Sequence, residues 1–213
     1  MPSVLRPTVF MDRDGTLNEL IHDDSRGVMD GPLWPEQFAL RPWAARFVKG
    51  LNDLGFLCLV VTNQPGIAKG TLSLVRLDRI HRRMREELAR TGAHVDGIFY
   101  CPHHPDPGPG GKADLAIRCR CRKPAPGMIL DAASIHRVDM DRSYMVGDRL
   151  SDVEAGRAAG LSTVLVSVRK PGQIEGLQEK PDARPDHVVR DLKQALALVR
   201  AGRDGLIAER RGS

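Results

Sequence analysis

Two carboxylates, Asp12 and Asp14, stand two residues apart in the run Phe10-Met11-Asp12-Arg13-Asp14-Gly15-Thr16-Leu17-Asn18, where an apolar stretch opens into a glycine-containing turn. That arrangement invites a hard cation, because Mg²⁺ takes oxygen ligands and usually binds through one or two carboxylates together with a substrate phosphate. An aspartate can also act as a nucleophile that forms an aspartyl-phosphate, while a second one supplies and removes protons. Two aspartates also solvate an ordinary turn, and the spacing alone leaves both readings open.

Three more groups of reactive side chains follow. Thr62, Asn63 and Gln64 come directly after the run Phe56 to Val61 and offer a hydroxyl and two amides to a phosphoryl oxygen. Arg122 and Lys123 supply adjacent cations before a helical pattern, although such a pair often just faces solvent. Val146-Gly147-Asp148-Arg149-Leu150-Ser151-Asp152 repeats the sequence of apolar run and then carboxylate; its plain alternative is a glycine turn and a helix cap.

Cysteine placement is the fifth signal. Cys101 and His103 are followed by fifteen residues and then Cys119 and Cys121, whereas Cys58 stands alone. Three thiolates and an imidazole make a complete tetrahedral set for structural zinc. A Pro- and Gly-rich loop of this length has little core of its own and would gain order from a metal cross-link, although three unrelated reduced cysteines would give the same letters.

The elements that must position these groups read as alternating strands and helices. Short apolar runs occur at 8–11, 56–61, 97–100, 144–146, 162–168 and 187–189. Between them Trp43, Phe47, Leu51 and Leu54, and then Leu77, Ile80, Met84 and Leu88, recur at helical spacing. Pro42 and Gly55 bracket the first helix, and Ser151 with Glu154 predicts a capping box for a later one that ends at Gly160. Continuous apolar runs predict an α/β fold: a Rossmann-like three-layer sandwich whose mostly parallel central sheet is covered on both faces. Ligands collect beyond the carboxyl ends of such strands, where all the reactive groups fall.

The 213 residues, 41% hydrophobic and 28% charged, suit one domain and exclude general disorder. Residues 1–202 are expected to form that domain and 203–213 a polar tail. A formal net charge of +5 and a pI near 9.3 favour an anionic partner without naming it. Four cysteines, no signal-like start and no apolar run near ~20 residues predict a cytoplasmic protein that does not enter membranes.

In order along the chain, these motifs resemble the haloacid-dehalogenase superfamily of phosphatases. The resemblance runs from about residue 9 to 189. It implies that Asp12 attacks phosphorus, that Asp14 protonates the leaving oxygen and later deprotonates water, and that Thr62 and Lys123 hold the phosphoryl group. It further implies Mg²⁺ bound by Asp12, the Asp14 backbone carbonyl and Asp148, with Asp152 ordering their surroundings. The strand ending in Cys-Pro-His-His-Pro and the later Cys-Arg-Cys-Arg-Lys-Pro resemble the zinc-loop group within it, the heptose bisphosphate phosphatases and their histidinol-phosphate relatives. Zinc on Cys101, His103, Cys119 and Cys121 is then structural, and Asn63, Arg122, Lys123 and Arg149 are the candidate substrate contacts.

The intervals between motifs are too short for a separate cap domain, for which about 50 residues is a usual lower size. A flap of residues 18–40 and the zinc loop 101–121 are left to cover the site, which suits a small phosphorylated sugar and a monomeric enzyme. The group usually carries a Gly-Tyr-Val stretch in the flap; residues 19–31 here contain no Tyr. Histidinol phosphate or another small phosphomonoester stays open as substrate. A zinc-containing nucleic-acid-binding protein is the competing class, but aromatic residues are 4% of the chain, and the arginines at 76, 79, 82, 83 and 85 lie opposite an apolar stripe. No nucleic-acid partner is expected.

Overall fold

The structure is a computed structural model and describes residues 5–23, 27–166 and 184–211, with side chains as far as residue 204. Its strands are β1 (Arg6–Met11), β2 (Ile21–Asp23), β3 (Val28–Asp30), β4 (Leu57–Asn63), β5 (Gly97–Cys101), β6 (Val138–Gly147), β7 (Ser162–Val166) and β8 (His187–Val189). Its α-helices among the described residues are α1 (Ala44–Asp53), α2 (Leu74–Ala89), α3 (Gly127–His136), α4 (Leu150–Ala158) and α5 (Leu192–Arg211).

Six strands form one sheet in the order β5-β4-β1-β6-β7-β8, and every neighbouring pair is parallel. Parallel pairing obliges each connection to cross a face, so both faces are covered and the strands can be apolar throughout. Val9, Met11, Cys58 and Val60 point into a core shared with Phe47 and Leu51 of α1, Ile80 and Met84 of α2, and Ala195 and Val199 of α5. Phe10, Leu57, Leu59 and Val61 point the other way, against Met128, Ile129 and Ala132 of α3 and Ala155 of α4. The chain travels outward from β1 to β4 and β5, then returns to β6 on the far side of β1. The carboxyl end of β1 is therefore the switch point, where neighbouring connections leave in opposite directions and a crevice opens.

β2 and β3 make an antiparallel hairpin within the expected flap, and Asn18 pairs with Leu40 at its base. Beyond the hairpin, the Gln37 carboxamide accepts from the backbone N–H groups of Leu33 and Trp34 at 2.9 and 3.0 Å. The Arg76 guanidinium lies 4.3 Å over the Trp34 ring, which pins this segment to the start of α2.

Two local expectations change. Trp43 does not join the apolar stripe: it precedes α1 with a left-handed φ of 72° and lies half-exposed between Arg46 and Lys193, while Ala44, Phe47, Val48 and Leu51 face the core. The capping box of α4 is not Ser151 with Glu154. The helix begins at Leu150, and Asp152 accepts from the Arg149 N–H at 3.0 Å, because the tight Val146-Gly147-Asp148 turn starts the helix two residues early. The last helix, α5, runs to Arg211 on a stretch made largely of good helix formers. Residues 167 and 168 of the predicted strand 162–168 lie outside the described residues.

Candidate active site

Asp12 follows β1, and its backbone N–H extends the ladder to Val146 O at 2.9 Å, so its position is inherited from two buried strands. Its side chain is buried, and Lys123 Nζ lies 2.6 Å from its Oδ1. The same ammonium donates to Val61 O at 2.8 Å and stands 2.6 Å from Asp152 Oδ1. Burial alone would pull the Lys123 pKa down, but Asp12 and Asp152 outweigh it and hold the ammonium charged. Asp148 is also buried, and acceptor oxygens of Asp12, Asp148 and Asp152 lie within 4.8 Å of one another. The Thr16 hydroxyl donates to Asp148 Oδ1 at 3.2 Å. Gly15, with φ of 90°, makes the turn possible: a Cβ there would stand 2.6 Å from Asp148 Oδ2.

Three carboxylates against one ammonium leave buried negative charge. Burial, reinforced by Asp152 and Asp148, pushes the Asp12 pKa up to about 8 despite Lys123. That surplus, presented by oxygen donors alone, fits a divalent hard cation.

Asp14 is in a different electrostatic setting. Arg13, fully buried, donates from Nε and Nη2 to its two oxygens at 2.9 and 2.8 Å, and Gln64 Nε2 donates to Oδ2 at 2.7 Å. Burial works to raise the Asp14 pKa, but the Arg13 charge and these bonds hold it below the usual carboxylate range. Gln64 Nε2 also donates to Thr62 Oγ1 at 2.9 Å. Because Thr62 Oγ1 accepts there, its own hydrogen is available for a phosphoryl oxygen. Gln64, read from the sequence as an amide for a phosphoryl oxygen, instead joins Asp14 to Thr62; Arg13 was not singled out by sequence, because nothing in the letters shows that an arginine between two aspartates is buried.

Asp12, Asp14, Thr62, Asn63, Arg122, Lys123 and Arg149 line one open pocket of about 190 Å³, together with Asp30 and Gly31 from the end of the hairpin. Gly31 allows the flap to touch the site, since a Cβ there would stand 2.7 Å from the Asp14 carboxylate. Asp148 lies beneath, against Thr16 and the Asp12 cluster, rather than in the pocket wall.

The four zinc-loop donors also come together. Cys101 Sγ lies 3.5 Å from Cys119 Sγ and 3.3 Å from Cys121 Sγ, the last two are 3.3 Å apart, and His103 Nδ1 lies 3.3 Å from Cys121 Sγ and 3.6 Å from Cys101 Sγ. A tetrahedron with Zn–S near 2.3 Å has edges of about 3.8 Å, so four such donors in one knot fit zinc. His104 turns away and bonds to Asp106.

A parallel Rossmann-like sheet with paired aspartates, hydroxyl, lysine and a further carboxylate gathered at its switch point defines the class: a haloacid-dehalogenase-type hydrolase. The HAD-hydrolase-like family matches residues 120–195. The D-glycero-beta-D-manno-heptose-1,7-bisphosphate 7-phosphatase of Yersinia pestis is 36% identical over 200 residues, covering 92% of this chain and 96% of that protein. Its counterpart in Escherichia coli K12 is 39% identical over 170 residues, 78% of this chain and 81% of that one. The crystal structure of the D,D-heptose 1,7-bisphosphate phosphatase of B. bronchiseptica, complexed with magnesium and phosphate, superposes with a TM-score of 0.73 at 30% identity, covering 91% of this chain and 97% of that one. The chain belongs to this family of heptose-1,7-bisphosphate 7-phosphatases.

Proposed function

We propose that this protein is a phosphomonoesterase that removes the C7 phosphate of D-glycero-D-manno-heptose 1,7-bisphosphate by way of an aspartyl-phosphate on Asp12. One observation carries the reading: Lys123 Nζ sits 2.6 Å from Asp12 Oδ1 in a pocket whose lining also holds Arg122 and Arg149. Asp12 attacks phosphorus and forms a P–O bond as the bond to the sugar oxygen breaks, and Asp14 gives that oxygen a proton. The arriving phosphate is a like charge beside Asp14 and favours the protonated carboxyl this step needs. Water, losing its proton to Asp14, then attacks phosphorus, releasing inorganic phosphate and restoring the Asp12 carboxylate.

Thr62 and Lys123 hold the transferring oxygens, while Arg122 and Arg149 meet the rest of the substrate. Asp12, the Asp14 carbonyl and Asp148 would hold Mg²⁺, whose charge offsets the developing negative charge in phosphoryl transfer. Cys101, His103, Cys119 and Cys121 would hold a structural zinc, which the donor knot supports. We read the enzyme as one domain acting as a monomer in the cytoplasm, in keeping with thiols reserved for a metal. Among the described residues no helix is long and apolar enough to cross a membrane.

Phosphate release with Mg²⁺ from both anomers of the heptose bisphosphate, from histidinol phosphate and from other small phosphomonoesters tests the proposal. A preference of at least about tenfold for a heptose bisphosphate is expected, equivalent to roughly 1.4 kcal/mol of transition-state discrimination. An equal or greater rate on histidinol phosphate overturns the substrate assignment.

A further inference from the structure

Lys123 reaches the site from an irregular segment. It lies between the Cys/His loop and α3, so no strand ladder fixes its backbone. Its two main-chain polar groups are instead met by one side chain: Lys123 N–H donates to Asn63 Oδ1 at 3.0 Å, and Asn63 Nδ2 donates to Lys123 O at 3.0 Å. Asn63 is the last residue of β4, and the lysine's ammonium returns to the same strand at Val61 O, 2.8 Å away. Both ends of the lysine are thus docked on β4, and the result is a side chain only 3% exposed with its nitrogen 2.6 Å from Asp12 and Asp152.

We propose that Asn63 is a positioning residue: its carboxamide acts as a two-point clamp that stands in for a missing strand partner and fixes Lys123 over Asp12. Asn63 lines the pocket, and a direct substrate contact is the simple reading of an amide there. The paired bonds to Lys123 give it another task, because one bond uses its acceptor and the other its donor, in the geometry with which a peptide group pairs across a sheet. The rate effect rests on the phosphatase reading, whereas the burial of Lys123 does not.

Two measurements on Asn63→Ala decide the matter, using full-length metal-loaded protein. The first is steady-state phosphate release on the best substrate. Misplacing a reacting group by about 1 Å can lower rates by about 100-fold, so kcat is expected to fall about 10- to 100-fold with KM within about threefold. The second is the rate at which an amine-acylating reagent modifies Lys123, read by mass spectrometry without substrate. It should rise about tenfold as the lysine leaves its buried slot, the counterpart of a free-energy change of roughly 1.4 kcal/mol. A raised KM with kcat retained and Lys123 protected as before overturns the clamp in favour of substrate contact; no change in either measurement overturns it as well. If no substrate in the panel is turned over by the parent protein, the phosphatase reading fails while the acylation rate still decides the clamp. Asn63→Asp keeps the size and the acceptor but replaces the donor with an anion facing Lys123 O, so it should show the same pattern and stands in if the alanine variant does not fold.

Discussion

The catalytic edge and the Cys/His loop are neighbours built on opposite principles. At the edge, reactive groups leave the ends of buried strands. Asp12 extends the β1–β6 ladder, Thr62 and Asn63 finish β4, and Asp148 follows β6. Of the four zinc-loop donors, Cys101 alone ends a strand; His103, Cys119 and Cys121 sit on irregular backbone containing one 3-10 turn, Ala113–Leu115. The loop is fastened at its middle, by Lys112 N–H to Ala68 O at 2.7 Å, and near its end, where Arg120 Nη2 donates to both carboxylate oxygens of Asp131 on α3. Where a sheet fixes geometry, like charges can be held together at the expense of stability. Where no sheet exists, order has to come from elsewhere, and four gathered donors could draw it from a metal.

The largest expected effect tests the first half of that contrast. Asp12→Asn removes the nucleophile and should lower phosphate release by more than about 10³-fold, while relieving charge crowding with Asp148 and Asp152. The thermal midpoint should stay level or rise; retained turnover would remove Asp12 as nucleophile, and a large drop in midpoint would mean the strand ends do not carry the geometry alone. Next is Lys123→Met, which leaves three buried carboxylates without their ammonium. A rate loss of about 10²- to 10³-fold is expected, with destabilisation of about 3–5 kcal/mol by chemical denaturation.

Zinc content and loop protection bear on the second half. Elemental analysis of protein prepared without chelators should give about one zinc per chain. Stripping it should raise amide hydrogen exchange through 101–121 far more than in β1 or β4. Zinc-free protein with the loop equally protected would show that the loop orders itself.

The smallest effect concerns His81, which borders both regions: it lies on α2, its ring centroid is 5.9 Å from that of Tyr100 on β5, and Arg13 lies close enough to repel its proton. Burial, helped by Arg13, brings its pKa down to about 3. Unfolding restores an ordinary histidine near 6.5, so the unfolded chain takes up the proton first. Stability is therefore greatest above about pH 6.5 and is lost as the pH falls toward about 3, by up to a few kcal/mol from this group. Denaturant titrations of His81→Phe should show a shallower loss over that window; an unchanged slope would place the acid sensitivity elsewhere.

Much of this was legible from the letters, and the reasons are local. Apolar runs marked β1, β4, β7 and only the end of β6, whose polar first half, from Val138, carries no such run, and Gly55, with φ of 79°, closes the first helix where its sequence position suggested. The pairs Asp12/Asp14 and Cys101/His103 suggested their chemistry by residue type and spacing, and by their order among the other motifs. The burial of Arg13, the bonds of Gln64 to Asp14 and Thr62, and the true cap of α4 were not legible, because each depends on a partner or a turn whose geometry the letters leave open. Arg13 in particular carries a charge that composition counts as solvent-facing, yet it is fully buried against Asp14.

The sequence by itself determined which groups could react and in what order along the chain, since hydropathy and motif spacing are properties of neighbouring residues. Only the tertiary structure decided which of them share a charge. Lys123 is 111 residues from Asp12 and 60 from Asn63, and its ammonium meets Asp12 because the crossovers bring β4 and β6 to either side of β1. Coulombic coupling depends on distances of a few ångströms and on burial, and both are set by the packed sheet.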